Sequence, residues 1–116
     1  MEVGTELIVD YFGVNINYLE KYDKLKSLFD EVLMRTKLGV VNSLFYNFEV
    51  AGCSGIYLLK TSHLSFHTFP ERNILALDVY TCGDKKELYE VIDFIRKMMP
   101  YKSRELRIIE RGKKYE

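Results

Sequence analysis

Apolar and polar positions alternate in some stretches of the chain and recur at helical spacing in others. Residues 5–14, TELIVDYFGV, are rich in β-branched and aromatic residues, which is typical of a strand. Asn17 and Glu20 have the spacing of a capping box for a helix that ends near Lys37, just before Gly39. Its apolar residues recur at helical spacing: Leu25, Leu28, Phe29, Val32 and Leu33.

The middle of the chain has the pattern of successive strands. Residues 40–50, VVNSLFYNFEV, alternate as a strand, and the glycines of AGCSG, residues 51–55, predict a tight turn or a bulge. Strand character continues through residues 56–69 until Pro70, which must close the strand or lie on an edge. Residues 73–82, NILALDVYTC, are apolar on both faces, as expected of an inner strand.

A second helix and a last strand complete the pattern. Asp84 and Glu87 form a capping box, and an amphipathic run follows as far as Pro100. The order β-α-β-β-β-α-β predicts an α+β two-layer sandwich, a mostly antiparallel sheet with two helices on one face. The other face is expected to stay partly apolar, which suggests a second sheet or a dimer partner.

Composition favours a soluble protein with a single domain over residues 1–116, because 47% of residues are apolar and 29% are charged. Basic and acidic residues balance at 17 each, so no nucleic-acid partner is expected. We find no leader-like start and no long apolar run, and we expect a cytoplasmic protein without a membrane partner. Cys53 and Cys82 have no CxxC spacing, and a disulfide is not expected.

The segment KTSHLSFHTFPE, residues 60–71, contains both histidines of the chain. His63 and His67 are four residues apart, which on a strand is about 13 Å and too far for one metal ion. No metal is therefore expected. Cys82 precedes Gly83 and the predicted second helix, where the helix dipole lowers a thiol pKa, although a small buried side chain explains it equally well. From the residues alone, the segment is a candidate reactive strand and Cys53 is inert.

Residues 52–84, GCSGIYLLKTSHLSFHTFPERNILALDVYTCGD, resemble the core of the small prokaryotic S-adenosylmethionine decarboxylases. The family pattern reads approximately GxSG, then ESHxxxHTWPE, then a strand ending in DVFTCGD. The match is ungapped over this run and extends more loosely through the first strand and VVNSLFYNF. Serine, both histidines, Pro-Glu and Thr-Cys-Gly-Asp at fixed spacing make it more specific than any single motif.

The resemblance implies a proenzyme that cleaves itself between Thr61 and Ser62, giving a β chain of residues 1–61 and an α chain of residues 62–116. Ser62 would attack the Thr61 carbonyl and become a pyruvoyl group, the cofactor of the family. His67 matches the processing histidine, and Ser54 matches the serine that assists it. These roles suit a hydroxyl and a histidine, since each step moves protons and develops an oxyanion.

For the mature enzyme, the resemblance implies decarboxylation of S-adenosylmethionine to an aminopropyl donor for polyamine synthesis. The substrate amine would form a Schiff base with the pyruvoyl group made from Ser62, and Cys82 matches the proton donor. Phe48 and Phe69 match aromatics suited to sandwiching the adenine, and Glu71 matches the position that binds the ribose hydroxyls. The family forms homodimers of processed protomers, with active sites near the interface.

Two departures from the family pattern keep alternatives open. Thr61 stands where the family has glutamate, and Phe69 stands where it has tryptophan. The same chemistry on arginine or ornithine is one alternative, and an unprocessed binding or regulatory homologue is another. Ser62 and His67, five residues apart, point to opposite faces of a continuous strand, so the mechanism requires a turn or bulge near Ser62.

Overall fold

A computed structural model describes residues 3–112. Six strands form one sheet in the order β2-β3-β4-β5-β1-β6, and every neighbouring pair is antiparallel. Neither of the longer helices in this part of the chain has the length and apolarity needed to cross a bilayer. The elements are β1 (Gly4–Phe12), α1 (Ile16–Leu19), α2 (Asp23–Met34), β2 (Val40–Asn47), β3 (Cys53–Leu59), β4 (Ser62–Phe69), a 3-10 turn (Pro70–Arg72), β5 (Ile74–Thr81), α3 (Lys86–Met98) and β6 (Ser103–Arg111).

Both long helices cover the same face of the sheet, so the predicted two-layer α+β fold is confirmed. Alternate residues of the inner strands point towards the helices and are buried, as the two-residue period of a strand requires. The core between the layers includes Leu7, Val9, Tyr57, Leu64, Phe66, Leu77 and Val79 from the sheet, and Leu25, Phe29, Val32, Leu88, Val91 and Ile95 from the helices.

The predicted element order was one strand short. Residues 56–69, predicted as one strand, lie on two, because the chain reverses at Lys60–Thr61. The register pairs Leu58 with His63, β3 ends at Leu59 and β4 begins at Ser62. Lys60 and Thr61 are therefore left as a tight hairpin turn. The turn therefore ends immediately before Ser62.

The predicted start of the first helix was also wrong. Asn15, rather than Asn17, caps the short helix α1, since its Oδ1 accepts the Asn17 N–H at 2.8 Å. The long helix α2 begins only at Asp23, because the backbone between the two helices bonds to the β2–β3 connection. The Glu20 carbonyl accepts the Gly52 N–H at 2.9 Å, and the Tyr22 N–H donates to Asn47 Oδ1 at 2.9 Å.

The sheet surface opposite the helices, here called the open face, carries large exposed apolar side chains. This confirms the prediction of a partly apolar outer face. The large exposed apolar side chains on this face include Leu44, Tyr46, Ile56, Leu58, Phe69 and Ile109. A cluster of exposed apolar side chains such as that on β2, β3 and β4 is typical of a protein–protein contact.

The space around the Cα of Gly55, on the helix side of the sheet, is filled by aromatic side chains. A methyl group on its Cα would overlap the Phe66 ring and approach Phe45 Cδ1 within 2.7 Å. We therefore expect Gly55→Ala to lower the free energy of unfolding by about 1–3 kcal/mol. Urea denaturation measures this, with Ser65→Ala on the open face as a control expected to change it by about 0.5 kcal/mol or less. Equal stability of Gly55→Ala and the wild type would contradict the packing described.

Candidate active site

Ser62 is the first residue of β4 and lies directly after the hairpin turn. Its side chain points to the helix side, where it is only 6% exposed. Its hydroxyl donates to Thr81 Oγ1 at 2.8 Å, because the β4–β5 register places Ser62 opposite Thr81. Thr61 Oγ1 lies 3.4 Å from Ser62 Oγ. The two hydroxyls of Ser62 and Thr81 thus form a buried pair at the end of the sheet.

The carbonyl oxygen of Thr61 accepts the backbone N–H of Cys82 at 2.9 Å. A backbone N–H in this position stabilises negative charge on that oxygen if the carbonyl carbon is attacked. The nucleophile that the sequence predicts, Ser62, is the next residue along the chain. Thr61, Ser62, Thr81 and Cys82 are called the Ser62 cluster below.

Cys82 follows the end of β5, and its side chain is exposed. Its thiol donates to the Tyr80 hydroxyl at 3.6 Å. The Tyr80 ring stacks on His63 with 5.5 Å between ring centroids and 22° between planes. The hydrogen bond from Cys82, followed by burial, raises the pKa of Tyr80. Tyr80 therefore keeps its proton at neutral pH, beside the predicted proton donor.

Ser54 and His67 form a second pair, here called the His67 cluster. The β3–β4 register places them opposite each other, and Ser54 Oγ lies 2.6 Å from His67 Nδ1. Both face a cavity of about 370 Å³ on the open face, beside Tyr46 and Ile56. The predicted partnership of Ser54 with His67 thus has the required contact.

The predicted substrate-binding residues lie at the same end of β4 as the His67 cluster. Phe69 ends β4 with an exposed ring, and Glu71 is exposed in the 3-10 turn that follows. The Phe48 ring is 40% exposed and packs beside Gly52, which also lies close to Pro70. Two exposed aromatic rings and a carboxylate are therefore available on this side of the molecule.

A single chain does not bring the two clusters together. Strand β4 is continuous from Ser62 to Phe69, so Ser62 points to the helix side and His67 to the open face. Five residues of strand separate them by about 16 Å. The predicted turn exists at Lys60–Thr61, but it lies before Ser62 and does not reunite Ser62 with His67.

The histidines lie where the strand prediction put them. His63 and His67 are both on β4, four residues apart on the open face. Among residues 3–112, no three side chains of histidine, cysteine, aspartate or glutamate are grouped as metal ligands. Cys53 is fully buried, and burial raises the pKa of its thiol.

No role was assigned from the sequence to two residues near Ser62 and Cys82, namely Thr81 and Tyr80. Thr81 stands inside the quoted motif TCGD, yet only its cysteine was given a role. Tyr80 was treated as part of an apolar strand. The signal for Thr81 was the pairing of two neighbouring antiparallel strands, since a register that places Ser62 opposite Thr81 brings their hydroxyls together.

Comparison with known proteins places this geometry in a family. The family model for S-adenosylmethionine decarboxylase matches residues 5–112. Relatives named S-adenosylmethionine decarboxylase proenzyme include those of Picrophilus torridus, 36% identical over 95% of this chain and 85% of the relative, and Pyrococcus abyssi, 34% identical over 95% and 79%. The crystal structure of the adenosylmethionine decarboxylase from Aquifex aeolicus superposes with a TM-score of 0.89 at 30% identity, over 96% of this chain and 92% of that one.

The fold and the length of the match define a small α+β sandwich protein of the decarboxylase class. The chain belongs to the S-adenosylmethionine decarboxylase family. The resemblance seen in residues 52–84 is thereby confirmed and extends over nearly the whole chain.

The two thiols are predicted to differ in reactivity. Cys82 is exposed, whereas Cys53 is buried with a raised pKa, so an alkylating reagent should modify Cys82 first in the native protein. Mass spectrometry of peptides after timed iodoacetamide treatment measures both rates, with urea-unfolded protein as the control in which the rates converge. Faster labelling of Cys53 in the native protein would contradict the burial described.

Proposed function

We propose that this chain is a proenzyme that cleaves itself between Thr61 and Ser62 and then decarboxylates S-adenosylmethionine. The observation that carries the proposal is the Ser62 cluster. A buried serine follows a tight turn, and the carbonyl that it would attack is held by the Cys82 N–H at 2.9 Å. Relatives at 31–36% identity are named as proenzymes of this decarboxylase, which supports the same activity here.

Cleavage uses groups that the chain already supplies. Ser62 Oγ attacks the Thr61 carbonyl carbon, and the Cys82 N–H stabilises the negative charge that develops on the carbonyl oxygen. The amide becomes an ester, and elimination at Ser62 then breaks the chain into residues 1–61 and 62–116. Hydrolysis of the new N-terminus with loss of ammonia leaves a pyruvoyl group. Thr61 permits this chemistry because the attacked carbonyl is backbone.

The residues around the new N-terminus fit a pyruvoyl group. A pyruvoyl group at residue 62 would supply the carbonyl that condenses with a substrate amine and the electron sink that decarboxylation needs. Cys82 lies beside this point, since its N–H bonds to the Thr61 carbonyl and its neighbour Thr81 contacts Ser62. Its exposed thiol delivers the proton that completes the reaction, and the Tyr80 hydroxyl at 3.6 Å holds that thiol.

Recognition of S-adenosylmethionine rests on the exposed rings of Phe48 and Phe69 and on Glu71. The rings stack on the adenine, and phenylalanine at position 69 does so with less surface than tryptophan. The Glu71 carboxylate accepts hydrogen bonds from the ribose hydroxyls.

A homodimer resolves the separation of the two clusters. The open face exposes apolar side chains to water, and contact with the same apolar face of a second copy would bury them. If the open faces stack with opposite strand directions, the His67 cluster of each chain lies near the exposed Cys82 of the other, beside the turn that precedes Ser62. His67 and Ser54 then assist cleavage of the partner chain rather than of their own.

Replacing the Ser62 hydroxyl and the Cys82 thiol in separate variants distinguishes self-cleavage from decarboxylation. Ser62→Ala should remain a full-length chain and release no carbon dioxide, because it lacks the nucleophile. Cys82→Ala should still cleave, since the 82 N–H remains, but lose about 10²-fold or more in turnover without its proton donor. Denaturing gels and carbon dioxide release from carboxyl-labelled S-adenosylmethionine, arginine and ornithine measure the two steps. Wild-type turnover of Cys82→Ala would remove the thiol from its role.

Complementation tests the shared site. His67→Ala should cleave poorly alone, but it should cleave when co-expressed with Ser62→Ala, because in the mixed dimer that chain supplies an intact His67 for cleavage at the intact Ser62 of the other. Differently tagged chains distinguish the two on a gel, and co-expression with the double variant Ser62→Ala/His67→Ala is the control. Equal cleavage of His67→Ala with the two partners would contradict a site formed by two chains.

A further inference from the structure

The Thr81 hydroxyl is at the centre of the hydrogen bonds around Ser62. Its oxygen accepts the Ser62 O–H at 2.8 Å and the Gly83 N–H at 3.0 Å. A hydroxyl oxygen has two acceptor lone pairs, so these bonds use both of them. Thr81 is fully buried, and bulk water therefore does not compete for its oxygen.

We propose that Thr81 is the positioning residue for self-cleavage, and that its hydroxyl oxygen holds Ser62 Oγ ready to attack the Thr61 carbonyl carbon. The inference rests on the proposed cleavage at this bond. In the step itself, a bond forms between Ser62 Oγ and the Thr61 carbonyl carbon, and the bond from that carbon to the Ser62 nitrogen breaks. In net terms the hydroxyl proton of Ser62 moves to the Ser62 nitrogen, so the step balances and Thr81 gains and loses no atoms.

Three consecutive residues then act on the two reacting groups. Thr81 Oγ1 fixes the oxygen that attacks, the Cys82 N–H fixes the carbonyl oxygen, and the Gly83 N–H fixes Thr81 Oγ1. The Gly83 N–H contact also restrains the Thr81 hydroxyl from rotating away. His67 of the same chain does not perform this function, because it lies on the open face and bonds to Ser54.

The hydrogen bond between Ser62 and Thr81 should accelerate cleavage for a physical reason. A serine side chain on a strand end samples several staggered rotamers, and few of them direct Oγ towards the preceding carbonyl. The hydrogen bond to a buried acceptor selects one orientation before the reaction, which lowers the entropy cost of reaching the reactive geometry. Both partners lie on paired strands, so the register of the sheet sets their separation.

The test compares Thr81→Val, which keeps the shape and removes the hydroxyl, with Thr81→Ser, which keeps the hydroxyl. The chains are made by pulsed cell-free synthesis, and appearance of residues 62–116 is followed on denaturing gels and by intact mass. Thr81→Val should slow cleavage about tenfold or more, and Thr81→Ser should cleave within about threefold of the wild type. Urea unfolding confirms that each variant is folded.

Wild-type or faster cleavage of Thr81→Val would overturn the inference, and so would equal slowing of both variants, because shape and not the hydroxyl would then matter. If Thr81→Val does not fold, the cleavage rates of Thr81→Ser and Thr81→Ala are compared instead. Equal rates of these two variants would likewise overturn the inference. Absence of cleavage in the wild type would defeat the proposed function and this inference with it. Cleavage in the wild type with an unaffected Thr81→Val defeats the inference alone.

Discussion

The register between β4 and β5 is the constraint on which the candidate site depends. It places Ser62 opposite Thr81, and it brings the Thr61 carbonyl to the Cys82 N–H just beyond the strand ends. The tight turn at Lys60–Thr61 fixes where β4 begins, and a strand that slipped by one residue would turn Ser62 to the open face. The chemistry proposed for Ser62 therefore follows from main-chain pairing as much as from the side chains themselves.

The same strand geometry explains why one chain holds two separate groups of candidate site residues. Side chains alternate between faces, so Ser62 points to the helices and His67 to the open face. The proposed homodimer would let both groups take part in one reaction, with each chain supplying one of them. The exposed apolar side chains there, such as Leu44 and Leu58, give that association a driving force.

Much of the fold was predictable from local pattern, and the exceptions have physical causes. The amphipathic run before Pro100 was predicted as the second helix and forms α3, because its apolar residues recur at helical spacing and proline cannot continue a helix. A turn near Ser62 was expected only because the mechanism required one, and local pattern did not place it at Lys60–Thr61, since neither residue is a typical turn former. The start of α2 was misplaced because Glu20 and Tyr22 bond to a distant connection, which no local signal reveals. For the candidate site, motif spacing supplied the residues proposed, but the hydrogen bond of Ser62 with Thr81 could be seen only from the strand register.

Intact mass of the purified wild-type chain tests the central claim most directly. The account predicts two species, residues 1–61 and residues 62–116, and the second resists N-terminal sequencing because a pyruvoyl group replaces its amine. A single species of 116 residues after prolonged incubation would contradict it.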